Sequence, residues 1–152
     1  MSTLPQYEIK EMSDKGIAFL INEEGMILHT YKDSVGVPTI GVGCTYYESG
    51  QRVKMSDPPI TKERAIQLFR NLLQIYEKAV WSYTRDDINQ NQFNALTSLC
   101  FNIGVTAFKG STVLRRVNKD PKDNLIEDAF EMWRKPIELL GRRKREVKLY
   151  FS

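Results

Sequence analysis

The chain has 152 residues, 41% apolar and 27% charged, with a formal net charge of +3, a size and balance that suit one compact domain with one sizeable core and exclude a second independent one. No run approaches the roughly 18 to 20 apolar residues of a membrane span. The longest near the start, "IAFLI", lies between Asp14 and Lys15 on one side and Glu23 and Glu24 on the other, so neither a signal peptide nor an anchor is expected.

The first predicted element is a helix over "SDKGIAFLINEEG", opened by the capping residues Ser13 and Asp14 and closed by Gly25. Its apolar stripe is Ile17, Leu20 and Ile21. At roughly 100° per residue, Glu24 falls within about 15° of the centre of that stripe and Glu23 more than about 110° away. Helical phase therefore predicts that Glu24 points towards the core and Glu23 towards water.

Two strands follow: "MILHTYKD", then the turn "SVGVP", then "TIGVGCTYY". Alternation along the second puts Thr39, Gly41 and Gly43 on one face and Ile40, Val42 and Cys44 on the other. From Thr61 the period is helical again, with Ala65, Leu68, Leu72, Tyr76, Val80 and Tyr83 marking about six turns. "NQNQFNALTSLCFNIG" carries a capping-box spacing, Asn89 to Gln92, and a closing Gly104. Three shorter helices are predicted in "GSTVLRRVNKD", "PKDNLIEDAFEMWRKP" and "GRRKREVKLYF". A helix, a small sheet and then only helices is an α+β plan, because no βαβ unit can form. A small β-containing lobe, about residues 24 to 60, is expected to join a larger helical lobe, made of the first helix and residues 61 to 152, through the long helix, with an extended ligand in the cleft between them.

Glu24 and Asp33 would lie about 13 Å apart on a continuous helix and about 30 Å apart in an extended chain. A helix that stops at Gly25 and turns into a hairpin can bring them closer, with Thr39 across the turn from Asp33. Inverting glycosidases use a carboxylic acid on the leaving oxygen and a carboxylate that activates water, about 6.5 to 9.5 Å apart. A Glu turned to the core suits the acid, and an Asp at a turn suits the base. From spacing alone, a lone Glu at a helix end is usually a solvated charge and a lone Asp in a β-turn usually turn chemistry.

The run "EEGMILHTYKDSVGVPTIGVG", with Glu, eight residues, Asp, five residues, Thr and then Ile-Gly-x-Gly, resembles the phage-type lysozymes of glycoside hydrolase family 24. The likeness continues through "NQNQFNALTSLCFNIG", "FKGSTVLRRVN", "AFEMW" and "GRRKREVKLYF", over most of residues 13 to 152. It implies a lysozyme-like fold and a muramidase that cuts the β-1,4 bond between N-acetylmuramic acid and N-acetylglucosamine in peptidoglycan, with inversion. Glu24 would be the general acid, Asp33 the residue that activates water, Thr39 its hydroxyl partner, and Arg142 the arginine that orients the acid. Gly43 and Phe101 would contact the glycan. No metal or cofactor is implied. The partner is the peptidoglycan strand, met by a monomer made in the host cytoplasm that depends on a separate membrane-permeabilising factor. One departure is Cys44, where relatives commonly have His; a neutral thiol cannot pair with a carboxylate as imidazolium can.

Three rival readings remain at this level. Cys44 with His29 could form a thiol hydrolase, though nothing near the thiol activates it. "RRKREVKLY" could bind nucleic acid, though a basic run of this length is usually a solvated helix face. A non-catalytic peptidoglycan-binding or virion-assembly relative would have no need of Glu24, Asp33 and Thr39 together. With two Cys, one in place of the usual His, and neither in a CxxC pair, reduced thiols are expected.

Overall fold

The computed structural model describes residues 9 to 152; the expectation that no leader precedes the first helix lies partly outside them. In chain order the elements are α1 (Asp14–Glu24), β1 (Ile27–Lys32), β2 (Pro38–Gly41), α2 (Lys62–Tyr83), α3 (Gln90–Ile103), α4 (Val105–Lys109), α5 (Thr112–Lys119), α6 (Leu125–Glu131) and α7 (Leu139–Tyr150). The expected α+β architecture is present: one two-stranded antiparallel sheet and otherwise helices. The five-residue α4 is the element that sequence periodicity did not anticipate, being too short to show a period. No helix among the described residues is long and apolar enough to cross a membrane.

The chain divides into two compact units, one of residues Ile17–Gln74 and one of Ile75–Ser152 together with the residues before Ile17. In the first, Ile40, Cys44, Val53 and Leu68 form a buried cluster, against which Tyr47, Ile60 and Leu72 pack. Burying aliphatic side chains of this size stabilises by roughly 1.5 to 3 kcal/mol each, enough to hold the short hairpin, which two strands alone would not sustain in water. The Ile60 amide donates to the Leu28 carbonyl at 2.8 Å, tying the chain before α2 to β1.

β2 is shorter than its sequence suggested. Gly41 and Gly43 take φ of +70° and +66°, and Ile40 and Cys44 exchange both backbone hydrogen bonds, at 2.9 and 3.1 Å. The run read as one strand thus doubles back on itself, because two glycines free to adopt positive φ, residues that mark bends within a strand, sit two residues apart. Ile40, Val42 and Cys44 are nevertheless all buried.

In the second unit α3 packs against α7 and α4, α7 against α6, and α6 against α5. The predicted capping box is present: Asn89 Oδ1 accepts from the Gln92 amide at 2.8 Å, and Gln92 Oε1 from the Asn89 amide at 2.9 Å. Ser111 caps α5 through the Leu114 amide at 3.1 Å. α3 is buried from Phe93 to Cys100, polar Asn94, Thr97 and Ser98 included. Asn94 meets the start of α1: it accepts from the Ser13 amide at 3.3 Å and donates to Ser13 Oγ at 2.9 Å. Gly16 makes room for it, since a Cβ there would come to 2.5 Å from Asn94 Cγ.

Candidate active site

The turn between the strands is organised by Asp33. Its amide donates to the Val37 carbonyl at 3.0 Å, and its carbonyl accepts from the Gly36 amide at 2.9 Å. Asp33 Oδ1 accepts from the amides of Val35 and Val37, both at 2.9 Å. Oδ2 has no hydrogen-bond partner among the described residues. Thr39, buried in β2, donates its hydroxyl proton to the same Val37 carbonyl at 2.8 Å. With that proton committed, Thr39 Oγ1 has only acceptor capacity left to offer. Asp33 and Thr39 are thereby brought together, and turn chemistry is how a carboxylate is aimed here.

Glu24 is the last residue of α1, which ends as the Gly25 amide donates to the Ile21 carbonyl at 2.7 Å and Gly25 takes φ +83°. The expectation from helical phase is overturned: Glu24 is exposed and Glu23 half-buried. Ile17 and Leu20 are buried but Ile21 only partly so. The stripe sets a direction, and burial along it falls off before the last residue of the helix.

Tyr31, which sequence reasoning passed over, stands directly opposite Thr39 in the ladder. It is half-buried, and burial, with the charges of Asp33, Cys44 and Glu24 added in that order, pushes its phenol above the ordinary range. Both carboxylates thus act on this one side chain. The available signal was its place two residues before Asp33, on the same face of an extended strand.

Gly43 is exposed, with nothing within 4 Å of where a Cβ would stand. It borders a hollow of about 110 Å³ lined also by Tyr46, Tyr47, Leu68, Asn71 and Leu72. Cys44 is buried, donates to the Val42 carbonyl at 3.7 Å, and is pushed up to about 11 by that burial. His29 is exposed and contacts the Thr30 carbonyl through Nδ1 at 3.1 Å. A buried, protonated thiol is no nucleophile, which removes the thiol-hydrolase reading. Among the described residues no three His, Cys, Asp or Glu side chains gather as metal ligands.

Arg142 and Phe101 belong to the second unit. The basic run of α7 is not a solvated face throughout: Arg142 is 6% exposed, and Arg143 and Glu146 are fully buried. Glu146 Oε2 accepts from Arg142 Nε at 3.2 Å and from Ser98 Oγ at 2.5 Å, while Oε1 accepts from Arg143 Nη1 at 2.5 Å. Arg142 Nη2 also donates to the Ser98 carbonyl at 3.2 Å, and Arg143 Nη2 to Asn102. Two of the charges that a nucleic-acid reading relied on are therefore spent inside the protein. Phe101 is half-buried and meets Tyr76 edge-on, centroids 5.0 Å apart.

A mostly helical chain with one small two-stranded antiparallel sheet is the lysozyme-like fold, as solved phage lysozymes show. Over residues 21 to 146 the sequence matches the family model described as Phage lysozyme. It is 46% identical to the endolysin of Salmonella phage P22 over 146 residues, 93% of this chain and 99% of that one. Among solved structures, a point mutant of P22 lysozyme superposes with a TM-score of 0.86 at 44% identity, covering 95% of this chain and 100% of that one. An endolysin from the Escherichia coli O157:H7 phage FAHEc1 gives 0.85 at 32% identity, with 93% and 94% covered. The chain belongs to the phage lysozyme family.

Proposed function

We propose that this phage lysozyme, a muramidase acting on bacterial peptidoglycan, cuts the β-1,4 bond between N-acetylmuramic acid and N-acetylglucosamine by a single displacement with inversion. Glu24 protonates the departing glycosidic oxygen. Asp33 takes a proton from the attacking water, whose oxygen bonds to the anomeric carbon as the glycosidic bond breaks. Thr39 holds that water by accepting a hydrogen bond from its other O–H, whose proton stays on the new hydroxyl. Arg142 orients the acid, and Gly43 and Phe101 contact the glycan.

The observation that carries this reading is the convergence of Asp33 and Thr39 on Val37. It leaves one carboxylate oxygen and one hydroxyl acceptor to share a water molecule. The protein acts as a monomer, made in the host cytoplasm and reaching the wall with the help of a separate membrane-permeabilising factor, so that the host lyses and phage is released. Anomer-resolved analysis of the first products from purified wall glycan tests the mechanism. The α anomer is expected; initial release of the β anomer would rule out direct attack by water.

A further inference from the structure

We propose that the Tyr31 hydroxyl is a third group holding the attacking water, completing the set begun by Asp33 and Thr39. This rests on the roles proposed above for those two residues. Water has two protons to give and two lone pairs to use. Asp33, as a carboxylate, only accepts, and Thr39 has given its own proton to the Val37 carbonyl at 2.8 Å. Both protons of the water therefore point to protein acceptors, and its oxygen still lacks a donor to fix its orientation.

Tyr31 supplies that donor. Directly opposed residues of an antiparallel pair present their side chains on one face, so Tyr31 lies on the face of Thr39. The pairing continues past the strand end through the Asp33 amide and Val37 carbonyl at 3.0 Å, which keeps Asp33, two residues on, on that same face. The Tyr31 hydroxyl has no hydrogen-bond partner among the described residues, although a half-buried phenol normally finds one. Burial and the neighbouring carboxylates keep it protonated, and so a donor, through the neutral range. In the reaction it donates to the water oxygen and keeps its proton: one water proton goes to Asp33, the oxygen's free lone pair forms the new bond to the anomeric carbon, and the Glu24 proton leaves with the departing sugar.

The experiment is Tyr31→Phe, which keeps the ring beside Thr39 and deletes only the hydroxyl. On purified wall glycan kcat is expected to fall about tenfold, the worth of one neutral hydrogen bond, with KM within about twofold of wild type. Incorporation of 3-fluorotyrosine at position 31, which retains the donor, should keep kcat within about twofold. An unchanged kcat in Tyr31→Phe overturns the proposal, as does a raised KM at unchanged kcat, which would make Tyr31 a sugar contact. A tenfold loss in the fluorotyrosine protein also overturns it, because the position would then be sensitive to any change. Asp33→Asn, assayed alongside, separates the two levels. If it is inactive while Tyr31→Phe is fully active, only the role of Tyr31 falls; if it retains lysis, the assignment of Asp33 falls as well.

Discussion

Asp33 and Thr39 hydrogen-bond to one carbonyl oxygen, that of Val37, through the Asp33 amide at 3.0 Å and the Thr39 hydroxyl at 2.8 Å. A backbone group of the turn thus holds both candidate water-binding residues, and a change that spares this arrangement tests chemistry apart from structure. Asp33→Asn is such a change, because its amide oxygen can still accept from the Val35 and Val37 amides. It should lose at least about a hundredfold in turbidity clearance of wall suspensions. Losing the charge on those two hydrogen bonds costs about 1 kcal/mol, so thermal melting should drop by only about 2 to 4 °C.

Glu24→Gln should abolish lysis, by about a hundredfold or more, while binding to wall fragments survives. The melting temperature of the variant, measured alongside, separates a loss of chemistry from a loss of folding. Glu23→Gln is the matched control. Lysis within about twofold of wild type is expected there; a lytic Glu24→Gln protein would end the assignment of Glu24 as acid.

Glu146 bridges Arg142, Arg143 and Ser98 with no exposure of its own. Glu146→Gln removes the charge that compensates two buried guanidinium groups, a loss of about 3 kcal/mol or more. Urea denaturation should show the midpoint falling with the slope unchanged. A variant as stable as wild type would mean that the network contributes nothing net.

The two buried thiols make stability pH-dependent on the alkaline side. Burial pushes Cys44 up to about 11 and Cys100 up to about 12, from an ordinary value of 9.0. Between the unfolded and folded values the native state keeps protons that the unfolded chain has lost, so stability falls as pH rises. Urea midpoints should therefore decline from about pH 9 upward, and the Cys44→Ser/Cys100→Ser double variant should show a shallower decline. Iodoacetamide at pH 8 should label neither thiol in the native protein and both after unfolding. Cys44→Ser should keep wall lysis, since the thiol faces the packed cluster and takes no part in the proposed chemistry.

Local signals in the chain are enough for much of the framework. Ser13, Asn89 and Ser111 cap helices where their spacing to the first amides requires it, Gly25 ends α1 with positive φ, and apolar periods mark α2 and α3. These features act over three or four residues, so they survive in one dimension. The spacing of Glu24, Asp33 and Thr39 is likewise written in the chain, although its chemical meaning came from family likeness and not from geometry.

Tertiary structure decided what depends on neighbours distant in sequence. Helical phase aimed Glu24 along the buried stripe, but only the fold could show that Glu24 is exposed at the end of α1. The glycines at 41 and 43 were legible as bends, whereas the return of Cys44 to pair with Ile40 was not. The charges of α7 read as a solvated run until Ser98, 48 residues before Glu146, closed the network around them. Tyr31 entered the site only when register set it across from Thr39. Periodicity states which way a side chain points; burial, pairing and charge compensation depend on what stands there, and that is supplied by contacts between distant parts of the chain.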